Sequence, residues 1–325
     1  MLHSIHEVQQ MIAAGKRLIL AGIAPALSQL PTGNWIGGSI PYFMDKEGGV
    51  NSDSQIFVTE VPASATGVKI CEYSAEELQQ LYSDAPANGF SFLLVPNGAP
   101  FLAAFASHAQ DCDGFLLKPV VGWVTGVNVS ALGKEAATVV DGLSGTASSD
   151  RALAMHVSLP ATQAAELDIV NIFRQGSGDT ISFSEAGFAA SDCLVNDRPA
   201  NLAEYIGRTG VDTRLPLTAD YCGSIINVSL QAVEAESGTV RFYAPVFPGV
   251  TYRFAEPVPD YAEAFAKALP KGDDSLFSCN CILNYLYGEL EGKHTGEVFG
   301  PITFGEIAHL LLNQTLVQLK IQNIG

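Results

Sequence analysis

The sequence predicts a mixed α/β (α+β) protein built from two packed α/β layers or lobes with largely antiparallel or mixed sheets. Three observations predict it. Helical and strand patterns alternate over residues 1–120, which argues for a layered arrangement, although no βαβ repeat of constant length can be drawn. From about Glu135 to Phe254 short β-rich runs take over. Hydrophobic residues make up 47% of the 325 positions and charged residues 16%, a balance that supports a sizeable core and excludes a disordered, charge-repelled chain.

From His6 to about Gly15, Val8, Met11 and Ile12 recur at helical spacing and a glycine closes the segment. Leu18 to Leu20 is a short apolar strand, Trp35 to Ile40 a glycine-containing one and Gln55 to Val61 a β-rich one. Ser74 and Glu77 form a capping box that opens a helix through about Tyr82. Phe90 to Val95 is a continuous apolar run of the kind found in strands covered on both faces, and a helix from Ala99 to Gln110 follows. Further strands are predicted at Asp168 to Phe173, Thr180 to Phe183, Ser224 to Gln231, Thr239 to Tyr243 and Val250 to Phe254. Alternation of Ile226, Val228 and Leu230, with a Ser-Gly turn before Val240, reads as an antiparallel hairpin. Pro257 to Lys267 is a helix with Tyr261, Ala264, Phe265 and Ala268 along one face. The Gly/Ser-rich stretch Asp141 to Asp150 is a linker or exposed loop, which divides the chain into halves 1–145 and 146–325. Gly38 to Phe43 and Gly300 to Gly305 echo each other faintly.

Lys and Arg total 17 against 34 Asp and Glu, a formal charge of -17, so the average field repels phosphate backbones and anionic membranes. Nucleic acid and membrane are therefore excluded as partners. Mean hydropathy is +0.21, yet no apolar run reaches the roughly 20 residues of a spanning helix. No basic head precedes an apolar segment at the N-terminus, so no export signal is read and the expected location is cytoplasmic. The six cysteines are then expected as reduced thiols. Cys71, Cys112, Cys193 and Cys222 stand alone, and the one-residue gap between Cys279 and Cys281 matches neither a zinc knuckle nor a redox Cys-x-x-Cys.

Three segments carry chemistry-bearing residues. In the first, Asn34 to Phe43, Gly37 and Gly38 interrupt a strand-like run beside Trp35, Ser39 and Tyr42. The glycines permit close backbone approach by a ligand, or form a bulge packed under a loop. In the second, Leu276 to Gly292, a short strand feeds a helix from about Asn280, with Ile282, Leu283, Leu286 and Leu290 as its buried stripe and Cys281, Asn284, Tyr285 and Gly288 beside it. Either Cys279 or Cys281 is a nucleophile whose thiolate the helix dipole stabilises, or both are buried small hydrophobes. In the third, Thr303 to Thr315, a helix places Ile307, Leu310 and Leu311 on one face and Glu306, His309 and Asn313 on another. That second line suits a polar ligand or a proton relay, although Thr303 and Glu306 also satisfy a capping box. His108 and His156 lie in apolar segments and read as satisfied core or surface histidines. No Gly-x-Ser-x-Gly elbow, phosphate loop or His-Glu-x-x-His helix is present.

Phe277-Ser-Cys279, Gly292, Thr303-Phe-Gly-Glu-Ile307 and Asn313-Gln-Thr-Leu316 together resemble the C-terminal part of FIST domains. Ile36-Gly-Gly-Ser39 resembles that family's glycine/serine strand, and Arg241 to Phe254 is similar to its strand, turn and strand region. The resemblance implies a stand-alone sensory module that binds an amino acid or related metabolite and signals through a separate partner protein. It also admits heme, reported for some members; the motifs themselves call for no cofactor and no metal. The arginine that commonly follows the family's cysteine is missing, since Asn280, Cys281 and Ile282 follow Cys279.

The expected protein is thus a small-molecule-binding sensory protein whose pocket joins the two ends of the chain. Trp35, Gly37, Gly38, Ser39 and Tyr42 would meet Cys279, Cys281, Asn284, Glu306, His309 and Asn313 around one hollow. The alternative is an enzyme with Cys279 or Cys281 as nucleophile and His309 or Glu306 as base.

Overall fold

The computed structural model describes residues 1–221, 224–269 and 274–324, so Cys222 lies outside the described residues. Strand outweighs helix within them, and the strands form five sheets. The mixed α/β class with mixed and antiparallel sheets is what the sequence predicts.

The first sheet runs in the order Leu2–Ser4, Gln55–Glu60, Leu18–Gly22, Trp35–Ser39, Val139–Asp141, Thr146–Ser148. Leu18–Gly22 and Trp35–Ser39 are parallel, and their neighbours are antiparallel. Helix Ile5–Ala13 starts at Ser4, which forms a full capping box with Glu7, and lays Val8 and Ile12 on Leu18, Leu20 and Trp35. The Gly/Ser-rich stretch after Val140 is the turn of a hairpin, Val139–Asp141 pairing with Thr146–Ser148.

The second sheet runs Leu310–Leu312, Glu306–Ala308, Val120–Thr125, Gly89–Pro96, Ala152–Ser158, Gly67–Tyr73. Its central strand Gly89–Pro96 is buried throughout. Phe90, Phe92 and Leu94 face one core, while Leu93 and Val95 face another under helices Leu78–Asp84 and Pro100–His108. Such two-sided burial is why the run is continuously apolar.

The third sheet runs Gln163–Val170, Leu316–Asn323, Phe277–Cys281, Gly300–Thr303, Tyr42–Asp45, Gly48–Asn51. Gly300 pairs with Met44 and Pro301 with Phe43, so the two faintly echoing segments lie side by side. All three sheets contribute to one central core, where the rings of Trp123 and Phe277 stack 5.6 Å apart.

Residues 181–254 add a fourth sheet and a three-stranded fifth sheet with a core of their own, including Ile181, Leu217, Phe242 and Tyr252. Helix Leu202–Thr209 packs on it, opened by Asn201 and closed by Gly210 at φ 64.

Two sequence expectations need correction. Thr303 to Thr315 is not a helix: it folds as strands Glu306–Ala308 and Leu310–Leu312, hinged at His309 with φ 59. A short apolar run fits a 2-residue period as well as a 3.6-residue one, and here pairing with Val120–Thr125 decides. Thr303 is accordingly no helix cap; its Oγ1 donates to the carbonyls of Asn280 and Gly305. In the helix after Cys281, Leu286 is 41% exposed rather than buried, and Leu290 lies beyond the helix end at Tyr287.

Candidate functional site

The site grows from the end of strand Phe277–Cys281. Alternation puts Cys279 and Cys281 on one face, and Cys281 then occupies the N-cap position of helix Ile282–Tyr287. The Asn280 side chain locks this corner, its Oδ1 accepting from Cys281 N at 2.8 Å and from Asn284 Nδ2 at 2.9 Å. Glu306 reaches in from the second sheet. Its Oε2 accepts from Thr315 N at 3.1 Å and from Thr315 Oγ1 at 2.8 Å. The carbonyl of Thr315 accepts in turn from Cys281 N and Asn284 Nδ2, and the Cys281 thiol lies against the Glu306 carboxyl.

Burial dominates the electrostatics of this knot. Desolvation pushes the Glu306 carboxyl up to about 8, with the Thr315 hydrogen bonds pulling the other way, so the group is a neutral acid at pH 7. Burial, and then the neighbouring Glu306, hold the thiols of Cys279 and Cys281 well above the usual thiol range. A thiol kept protonated is a poor nucleophile. Glu306 Oε1, Asn284 Oδ1 and Asn280 Nδ2 are buried without a hydrogen-bond partner among the described residues.

In front of Cys281 opens a cavity of about 150 Å³. Val129, Leu132, Ile282, Leu283, Leu286 and Phe304 supply its apolar wall, and Asn97, Gln231, Tyr243 and Asn313 its polar positions. Leu132 and Leu286 are 46% and 41% exposed, large apolar side chains left at the mouth. Asn97, Gln231 and Tyr243 also line a second cavity of about 440 Å³, so the two spaces adjoin at these three side chains.

The expected site residues separate into groups. Cys279, Cys281, Asn284 and Glu306 meet in the knot, and Asn313 lines the cavity. Tyr42 supports its wall, the hydroxyl accepting from Val129 N at 3.0 Å and the ring lying 5.5 Å from that of Tyr285. Trp35 is instead core beneath helix Ile5–Ala13, its Nε1 donating to Pro31 O at 2.9 Å. Gly37 makes room for Leu27 and the Trp35 ring. A side chain on Gly38 would meet Thr125 Cγ2 at 2.8 Å and the Trp123 indole at 3.0 Å. Ser39 staples backbone, donating to Gly126 O and accepting from Thr138 N, and lines a different cavity.

The family model for DUF6976, a family of unknown function, matches residues 3–322. The chain belongs to the DUF6976 family. No curated protein matches it significantly. The match overturns the resemblance to FIST domains, which no family model supports. The short motifs that suggested it are strand ends and turns of the DUF6976 fold: Thr303–Ile307 crosses from one sheet to the next, and Asn313–Thr315 is the loop before Leu316–Asn323.

His309 of this DUF6976 chain sits at the turn between Glu306–Ala308 and Leu310–Leu312, its ring 6.1 Å from that of Phe115. Burial depresses its basicity, and Nδ1 has no partner among the described residues. Its ring packs on Phe115 while the Glu306 carboxyl is held by Thr315, so the two do not line one face as a helix would have placed them. Sequence reasoning missed Thr315, Phe304, Leu286, Gln231 and Tyr243. Only Thr315 had a legible signal, a buried-type polar run Asn313-Gln-Thr315 between apolar strands. Among the described residues, no helix is long and apolar enough to cross a membrane.

Proposed function

We propose that this protein binds a small amphipathic molecule in the cleft in front of Cys281. The observation that carries the reading is the pairing of an apolar inner wall, with Leu132 and Leu286 exposed at its mouth, and a polar outer half at Asn97, Gln231 and Tyr243. Large exposed apolar groups rimming a concave surface mark binding sites more often than plain surface. The apolar part of the ligand lies on Leu283, Leu286 and Phe304, and its polar end faces Asn97 and Gln231. Neutral Glu306 and the protonated thiols behind the wall favour an uncharged or apolar group at the inner end. They also disfavour catalysis by a cysteine nucleophile. A sensory role had the FIST resemblance as its support and is left without one.

The test is thermal unfolding against a panel of apolar amino acids, medium-chain carboxylic acids and their amides. A binder raises Tm by mass action in the wild type, and Leu286→Trp with Leu132→Trp, both at exposed positions, abolish the rise by filling the mouth. A rise that survives both substitutions places binding elsewhere. A wild type that responds to no member of the panel ends the reading for this ligand class.

A further inference from the structure

The helix-covered face of the second sheet carries a connected set of polar side chains. Alternation brings Lys69, Cys71 and Tyr73 onto one face of strand Gly67–Tyr73. Register sets His156 opposite Lys69 on one side and opposite Ser91 on the other. Helix Leu78–Asp84 ends over them and contributes Asp84. Ser91 Oγ lies 2.8 Å from His156 Nδ1, and His156 Nε2 lies 2.7 Å from the Tyr73 hydroxyl. Tyr73 donates its proton to Asp84 Oδ2 at 2.9 Å, while Asp84 Oδ1 accepts from Lys69 Nζ at 2.7 Å and Gln80 Nε2 at 3.0 Å. Tyr73 has one proton, committed to Asp84, so Nε2–H of His156 donates to Tyr73 and Nδ1 accepts from Ser91.

The same chain folds Cys71 into reach of this set. One ligand atom from each of Cys71, Asp84 and His156 lies within 4.8 Å of the other two. His156 is 3% exposed, whereas Cys71 and Asp84 are half-buried, so the three make a floor and an open rim. The Lys69 ammonium already sits on Asp84 where a cation would, on a side chain 56% exposed and able to swing into water.

We propose that Cys71, Asp84 and His156 form a zinc(II) site with its fourth position open to solvent. Thiolate sulfur, imidazole nitrogen and carboxylate oxygen are the donor types zinc takes, and three protein ligands with one open position is its catalytic-type arrangement. Thiolate and carboxylate together balance the charge of the ion. On binding, the Cys71 thiol gives its proton to water as the metal–sulfur bond forms. The His156 proton moves from Nε2 to Nδ1, freeing Nε2 for the metal and letting Nδ1–H donate to Ser91 Oγ, which then orients the ring from behind. Lys69 releases Asp84 Oδ1, and the Tyr73 hydroxyl, which bridges His156 Nε2 and Asp84 Oδ2 in the metal-free site, keeps its proton and turns away from both to make room for the ion. The site is independent of the cleft reading, and neither depends on the other.

Titration of metal-free protein with cobalt(II), followed by zinc(II), tests the proposal. One equivalent of cobalt gives a thiolate-to-metal charge-transfer band in the near ultraviolet with the intense visible bands of four-coordination, and zinc bleaches both. Cys71→Ser removes the charge-transfer band and Asp84→Asn weakens binding, whereas Cys112→Ser, beside exposed His108 and Asp111, changes neither. Lys69→Ala binds up to about fivefold more tightly, because an exposed ion pair no longer competes. These variants lie at the rim, so a folding defect at buried His156 does not obscure the result. No charge-transfer band at stoichiometric metal, a band that survives Cys71→Ser, or one lost in Cys112→Ser overturns the site.

Discussion

Glu306→Gln keeps the shape of the side chain and an oxygen for the two Thr315 donors while removing the ionisation. In the fold the carboxyl titrates at about 8 against an ordinary 4.5. Between those values the folded protein holds a proton that the unfolded chain has released, so wild-type stability falls as pH rises through this window. Below pH 4.5 both states are protonated and nothing is lost; above pH 8 the loss is complete. At about 1.4 kcal/mol per pH unit, the loss is about 3 kcal/mol at pH 7 and about 5 kcal/mol above pH 8. Urea unfolding of both proteins in steps from pH 5 to pH 8 isolates this one group, because the remaining titrations are common to both and cancel in the difference. The stability of Glu306→Gln relative to wild type should grow by about 4 kcal/mol across that range. Parallel stability curves, or a wild type that gains on the variant as pH rises, would refute the buried neutral acid.

Two further predictions concern glycine packing and thiol burial. Gly38→Val inserts atoms against Thr125 Cγ2 and the Trp123 indole, 2.8 and 3.0 Å from the first carbon added, and should cost about 1–3 kcal/mol in urea unfolding. Unchanged stability would show that the second sheet yields there. In iodoacetamide labelling read by peptide mass, Cys71 and Cys112 react in the native state, while Cys279 and Cys281, each 1% exposed, react only after unfolding. Fast native labelling at Cys281 would revive the nucleophile reading.

Local signals in the sequence carried the elements that local physics decides. The capping box at Ser74, the turn glycine at Gly238 and the continuous run of Gly89–Pro96 each specify structure within a few residues, and each forms. Thr303 to Thr315 failed because its decisive partner, strand Val120–Thr125, lies about 180 residues away in sequence. Nothing local tells Ile307 and Leu311 that they face a sheet rather than lie along a helix. The pairing of Gly300–Thr303 with Tyr42–Asp45 shows the same distance effect, since only the fold reveals that two weakly similar segments are neighbours.

The candidate sites divide along the same line. Residues close in sequence, Cys279, Cys281 and Asn284, are legible together because strand alternation and the first helical turn fix their relative placement. Glu306 was found for a wrong reason, as one stripe of a helix, and its actual role comes from a carboxylate sealed between two sheets with Thr315 as its hydrogen-bonding partner. Gly38 was the converse error. A glycine in a strand signals a close approach, but the sequence does not say by what, and here the indole of Trp123 takes the space a ligand was expected to fill. The Cys71, Asp84 and His156 set is illegible for a stricter reason. Its members span 86 positions on two strands and a helix end, and they meet because the register sets His156 opposite Lys69, two residues before Cys71, rather than one step further along. A slip of one residue would turn His156 to the other face of the sheet, into the apolar core of Phe92 and Trp123, and dissolve the set.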